Sequence, residues 1–203
     1  MSVISFPTTL NIRSLTWSQT RLDSAFTSAF GSQSVEVSPP LWGAALEAEP
    51  MNEISSGAWQ ALLMKMRGQT NQLTLWNIAR PVPLGTMRGT MTLNIAAAQG
   101  DTTLSIIEAT QAAKTLKAGD LLGLGSGTTQ QVIMVMADAT ANASGIISAT
   151  IEPPLRNSHL IAAAITWDKP TVLFRRKQSQ SSWDYQTTFA SGFSLDLVED
   201  VRS

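Results

Sequence analysis

The carboxylates near the C-terminus are the residues of this chain that most resemble catalytic groups. Asp196, Glu199 and Asp200 lie close together in sequence. Two carboxyl groups that face each other across a cleft can perform acid–base catalysis at a glycosidic bond. Nothing in the surrounding sequence indicates a cleft, so we predict that these three residues form an exposed acidic edge.

His159 is the only histidine of the chain, and cysteine is absent. One imidazole without thiolates cannot build a common multi-histidine or cysteine metal site, and no carboxylate lies near it in sequence. A catalytic triad with distant members stays open, although no G-x-S-x-G elbow occurs. We therefore predict a loop histidine, a protein that is not an enzyme, and no catalytic, cofactor-binding or metal site.

Two further motifs have ordinary structural interpretations. Residues 123–127 read Gly-Leu-Gly-Ser-Gly, but a dinucleotide-binding loop must open a helix, whereas a strand pattern follows here. We predict a hairpin turn. Residues 175–177 read Arg-Arg-Lys, which is too short a basic run for nucleic-acid binding. We predict a solvated strand end or an ion-pair patch between subunits.

Charge is scarce in this sequence. Charged residues make up 14% of the 203 residues and the formal net charge is −1, against about 25% charged residues in typical domains. This excludes a strong basic footprint for nucleic acid. A surface built largely from Ser, Thr, Gln, Asn and Ala is poorly protected against association. The chain is therefore either a neutral β protein or, as we prefer, a subunit whose surface is largely covered by neighbours.

The few charges are unevenly distributed. Between Leu22 and Met64 there is no Lys or Arg, and the acidic residues there are Asp23, Glu36, Glu47, Glu49 and Glu53. A solvated face is one interpretation, and a wall that repels DNA is the other. The N-terminus lacks the basic and apolar regions of a signal peptide, and the apolar run 160–165 is too short to cross a bilayer, so we expect no membrane insertion.

One segment has a helical pattern. Apolar residues recur with i, i+3, i+4, i+7 spacing, which predicts a helix over residues 54–67. Asn52, Ser55 or Ser56 can cap its start, and Gly68 suits its end. The predicted core anchors are Trp59, Leu62, Leu63 and Met66.

The remainder reads as short strands. Residues 10–17 form a first strand, residues 18–34 suit a helix or a loop, and Pro39-Pro40 is expected to end the strand after them. In the next strand Trp42, Ala44, Leu46 and Ala48 share one face. Glu47 and Glu49 lie on the other face, towards solvent or a partner.

The prolines at positions 81 and 83 interrupt the pattern, and closely spaced strands with turn residues follow up to residue 168. We predict a mainly β protein in which residues 1–86 plus 169–203 form a β-sandwich with one flanking α-helix. Residues 87–168 form an inserted small β-barrel or β-sandwich. The last strands have too few partners of their own, so we expect them to complete the sheet begun before Pro81.

Several segments together carry a family resemblance. They are WGAAL at 42–46, AWQALL at 58–63, Trp76-Asn77, PLGT at 83–86, KAGDLL at 117–122, the turn from Asp138 to Ser144-Gly145, and IEPPLR at 151–156. The chain resembles the distal tail proteins of long-tailed (siphovirus) bacteriophages and prophages, and the likeness spans most of its length.

The resemblance implies a virion structural protein of the tail tip, or baseplate. Such proteins form a ring, commonly hexameric, that joins the tail-tube protein to the tail-hub protein and leaves a lumen for DNA in transit. They are assembled in the host cytoplasm, and many carry an inserted β domain, sometimes carbohydrate-binding. The sole aromatic residue between 87 and 168 is Trp167, and sugar sites usually stack on aromatic rings, so glycan binding is not expected here.

Three other functions are compatible with the sequence. A tail-tube or tail-terminator subunit shares the architecture, but that function does not account for the inserted domain. A host-surface binding module predicts a groove in the insert, and a cell-wall hydrolase predicts a convergent acid–base pair in a pocket. For the ring, we expect Glu47 and Glu49 to face the lumen, where carboxylates repel the DNA backbone.

Overall fold

The alternating apolar pattern folds mainly into strands. The computed structural model describes residues 2–186 and 189–201. In it 46% of the residues lie in strands and 9% in helices, which confirms the mainly β fold class with a single α-helix among the described residues. In chain order the elements are β1 (Val3–Ser5), β2 (Ile12–Ser28), β3 (Gly31–Ala48), α1 (Glu53–Met66), β4 (Gln72–Trp76), β5 (Thr92–Leu93), β6 (Thr103–Ile107), β7 (Thr115–Leu116), β8 (Leu121–Leu124), a 3-10 turn (Gly127–Thr129), β9 (Gln131–Val135), β10 (Ala139–Thr140), β11 (Ile146–Glu152), β12 (Ile165–Thr166), β13 (Thr171–Arg176), β14 (Asp184–Tyr185), β15 (Ala190–Ser191) and β16 (Ser194–Glu199).

The chain divides into two units, and the first is discontinuous. It comprises residues 1–75 and 173–202, and the second comprises residues 76–172. The two units thus meet at 75/76 and 172/173, whereas the sequence prediction placed the boundaries at 86/87 and 168/169. Residues 80–85 and 169–171 belong with the insert because Lys169 donates a hydrogen bond to the Pro81 carbonyl (2.7 Å) and Gln130 bonds Thr171.

The sheet of the first unit combines strands from both ends of the chain. Its order is β1-β4-β13-β16-β3-β2. β1 runs parallel to β4, whereas β16 runs antiparallel to both β13 and β3. The late strands β13 and β16 thus lie in the middle of a sheet that the early strands began. β1 and β2 form its edges.

Helix α1 anchors this sheet through an apolar stripe. Asn52 caps the helix by accepting the Ser55 N–H at 2.8 Å, which satisfies a backbone donor that has no partner within the helix. The left-handed residue that ends the helix is Arg67, followed by Gly68, which is left-handed too. The four predicted anchors, Trp59, Leu62, Leu63 and Met66, are all buried.

The longest element is a hairpin that the sequence did not predict. Residues 18–28 are neither helix nor loop, because β2 continues to Ser28 and pairs with β3 along its whole length. The expectation that Pro39-Pro40 ends a strand is wrong. The register there steps from Thr20↔Leu41 to Leu22↔Ser38. The prolines therefore lie in a β-bulge, where a missing N–H removes no ladder hydrogen bond.

The second unit is a nearly closed barrel. Its sheet has the order β12-β8-β9-β11-β6-β5. The two ends approach each other where Leu93 donates to the Ala163 carbonyl and Ile165 donates to the Met91 carbonyl. The apolar run 160–165 contributes only the start of β12, since residues 158–164 form turns and isolated bridges. Leu104, Ile106, Leu122, Ile133 and Ile147 are among the aliphatic side chains of its core.

Candidate functional site

A projecting β-ribbon is the most unusual surface of the first unit. β3 pairs with β16 only between Gly43 and Glu47. Before Gly43 in β3 and after its partner Ser18 in β2, the two strands have only each other as partners among the described strands. We define the arm as residues 22–38. At about 3.3 Å per residue, each of its strands reaches roughly 20 Å past the bulge.

The arm is apolar on one face. Phe26 is 66% exposed, Leu22 is 60% exposed, and Phe30 at the tip is completely exposed. The register places Ser24 opposite Val35 and Phe26 opposite Gln33, so Leu22, Phe26 and Val35 project from the same side. Clustered exposed apolar side chains mark interaction surfaces, and an isolated two-stranded ribbon is marginally stable by itself. The arm therefore has the properties of a surface that is covered in an assembly.

Glu47 and Glu49 are both exposed and lie at the end of β3 that is away from the arm. Glu47 accepts a hydrogen bond from the Ser14 hydroxyl at 3.1 Å and lies opposite Ser194 on the other neighbouring strand. Glu49 follows the last residue of β3. By strand alternation, Glu47 lies on the face opposite to the buried Trp42, Ala44 and Leu46.

The carboxylates near the C-terminus do not form an exposed acidic edge, which corrects that prediction. Asp196 is exposed, but Glu199 and Asp200 are buried. Glu199 accepts the Trp42 N–H at 3.0 Å, and Asp200 accepts from the Gln72 amide at 2.9 Å. Both are occupied in joining strands of the sheet.

The basic run is likewise partly buried. Arg176 is buried and donates to the Ser181 hydroxyl and the Gln180 carbonyl, each at 2.6 Å. Burial lowers the pKa of the Arg176 guanidinium, and the nearby Asp196 carboxylate opposes that change. Arg175 lies 3.6 Å from Asp200. The expected solvated strand end is thus wrong for Arg176.

The sequence motifs of the second unit have structural roles. His159 exchanges two backbone hydrogen bonds with Ala97, and burial lowers the pKa of its imidazole. Gly125 and Ser126 lie in the loop that joins the antiparallel strands β8 and β9. Residues 2–186 and 189–201 contain no group of three metal-ligating side chains.

Trp167, the sole aromatic residue between 87 and 168, contacts the chain itself. The Arg88 guanidinium lies 5.0 Å from its ring centroid, and its indole N–H donates to the Gly89 carbonyl at 2.8 Å. A cleft bounded by Gly123, Gln130 and Thr171 has a volume of about 130 Å³, whereas ligand pockets typically begin near ~300 Å³. Trp167 is therefore held by Arg88 and Gly89 of its own chain.

Asp120 is a residue that the motif search did not single out. Its buried carboxylate accepts backbone N–H groups from Leu84 (2.6 Å), Gly85 (3.1 Å) and Lys117 (2.7 Å). It therefore holds the Pro83-Leu84-Gly85 segment against the turn before β8. The sequence feature that indicates this role is the Lys-Ala-Gly-Asp turn at 117–120, because aspartate often accepts N–H groups in turns.

Replacing Asp120 by alanine is expected to destabilise the second unit by about 3 kcal/mol, because several backbone donors lose a charged acceptor. Thermal unfolding followed by circular dichroism measures this loss. Asp138→Ala is the matched control, since Asp138 is exposed and only bonds the neighbouring turn. Equal unfolding temperatures for the two variants would refute the role of Asp120.

No helix in the described part of the chain is long and apolar enough to span a bilayer. No protein-family model matches the sequence, and no curated protein matches it either.

Proposed function

We propose that this protein is a structural subunit of a bacteriophage tail tip, in which copies form a ring that joins the tail tube to the hub. The observation that carries the proposal is the exposed apolar face of the arm on a discontinuous sheet unit. An exposed apolar ribbon favours burial against another subunit. The resemblance of segments such as residues 42–46 and 83–86 to distal tail proteins supplies the tail tip as the place of assembly.

The geometry of the first unit suits a head-to-tail ring. A closed ring needs an interface in which one surface of a subunit meets a different surface of the next. The arm extends from the β2 edge of the sheet, while the opposite edge is the short strand β1. Low charge across the chain supports extensive contact between subunits, because charged residues are depleted from interface cores.

Electron microscopy of tails with an antibody or tag on this protein tests the proposal. We expect label at the tail tip and about six copies per virion. Many copies along the tube would identify a tube subunit instead, and label at the opposite end of the tube would identify a terminator. Virions without the polypeptide would refute the proposal, as would a protein that stays monomeric with its neighbouring tail proteins.

Glu47 and Glu49 are proposed to line the lumen. Glu47→Lys with Glu49→Lys should leave ring formation intact but slow DNA release, because cations attract the phosphate backbone. Dye-reported DNA ejection from assembled virions measures the rate. Asp168→Lys places a cation at an exposed position of the second unit and is the control. Normal ejection by the double variant would refute the lumenal position.

A further inference from the structure

Two carboxylates face each other on the polar side of the arm. Asp23 and Glu36 are directly opposite in the β2–β3 register, and both are exposed. Like charges in opposed positions destabilise a strand pair. Neither forms a salt bridge with a described residue, and the sequence has no Lys or Arg from residue 22 to 64. A cation brought by a partner would remove this repulsion.

The same unit carries a complementary surface at the end of α1. We define the basic corner as Lys65, Arg67 and Lys177, all exposed. The Gln69 side chain donates to the Lys177 carbonyl at 2.6 Å, which joins the segment after α1 to the segment after β13.

The basic corner has no acidic neighbours along the chain, and the acidic residue across the strand pair is Asp196, whose carbonyl accepts the Lys177 N–H at 2.9 Å. No acidic residue occurs in segments 64–72 and 176–183, and none of the three cations forms a salt bridge with a residue in the described ranges. Beside them Met64 is 54% exposed. The corner thus presents positive charge next to an apolar side chain, whereas the polar side of the arm presents the two carboxylates near its base.

We propose that the arm of one copy docks on the basic corner of a second copy, with Asp23 and Glu36 against Arg67 and Lys177. This inference rests on the proposed ring, and it adds a contact of the polar side of the arm to the burial of the apolar face. The partner that binds the basic corner is a second copy of this protein, because both complementary surfaces belong to the same chain. The contact is head-to-tail, so it propagates from copy to copy and closes into a ring when the rotation allows. Opposed charges also fix the register of docking.

Charge reversal tests the contact. One variant carries Asp23→Lys and Glu36→Lys, and the other carries Arg67→Glu and Lys177→Glu. Lys65 is left unchanged so that one cation stays at the C-terminal end of α1. Each variant alone should weaken self-association on the order of 100-fold, since like charges are then juxtaposed. Native mass spectrometry over a concentration series measures the association, and circular dichroism checks that each variant folds.

The decisive observation is whether combining the two charge reversals restores self-association. An equimolar mixture of the two variants should assemble, because each reversed arm meets a reversed corner and each unchanged arm meets an unchanged corner. A single chain with all four substitutions should assemble too. If the unmodified protein associates but reversal has no effect, or if neither combination restores association, the arm-to-corner contact is wrong while the ring proposal survives. An unmodified protein that never self-associates, even with its tail partners, overturns both.

Discussion

The variant Trp59→Ala is expected to lose about 3–5 kcal/mol of stability in the first unit, because it leaves a large cavity under the sheet. Trp59 is 1% exposed. Its ring packs edge-on against Phe6 at 6.5 Å and stacks on Phe193 at 6.3 Å. Typical domains have only ~5–15 kcal/mol of stability in total. We therefore expect much of the first unit to unfold at moderate denaturant concentrations.

Hydrogen exchange measured by mass spectrometry is the appropriate readout, since it reports β3 and β16 separately from the strands of the barrel. Amides of the first unit should exchange faster, and those of β9 and β11 should not change. Ile54→Ala is the control on the same helix, because Ile54 is 91% exposed and surface changes usually cost less than ~0.5 kcal/mol. Similar exchange in the two variants would contradict the anchoring role of Trp59.

The second large effect is expected on assembly rather than folding. Phe26→Ser with Val35→Ser removes the centre of the apolar face of the arm. Burying a large apolar side chain contributes about 1.5–3 kcal/mol, so losing two should weaken association on the order of 100-fold or more. The isolated subunit should keep its stability, because both side chains are exposed in it.

Light scattering after size-exclusion chromatography measures self-association, and thermal unfolding of the same samples measures the stability of the subunit. Ile54→Ser removes an exposed apolar side chain outside the arm and should leave association unchanged. If the double variant assembles normally, the arm does not carry the interface. If it instead unfolds at a much lower temperature, the apolar face packs within its own chain.

Helix α1 and the general strand pattern could be predicted because their signals are local. Leu62, Leu63 and Met66 recur at the period of one helical face, and Asn52 is a preferred capping residue. The barrel strands alternate over a few residues between Gly and Asp turns. The resemblance to distal tail proteins also comes from such local segments.

The arm could not be predicted, because strand pairing is a long-range property. Residues 18–34 carry Leu22, Phe26 and Phe30 at helical spacing, with Ser and Thr between them. Their extended conformation depends on residues 31–48, which supply the backbone partners. Two adjacent prolines in a sequence indicate the end of a strand. The bulge that accommodates Pro39-Pro40 within β3 forms only when β3 pairs with β2.

The sequence by itself determined that this chain is a mainly β protein with one helix, few charges and no local catalytic motif. Only the tertiary structure decided which charges are exposed: Glu199 and Arg176 are buried in contact with neighbouring strands and loops, whereas Asp23 and Glu36 remain on a free ribbon. The reason is physical. Periodicity and capping are set by neighbours along the chain, but burial of a charge depends on hydrogen-bond partners brought from distant segments.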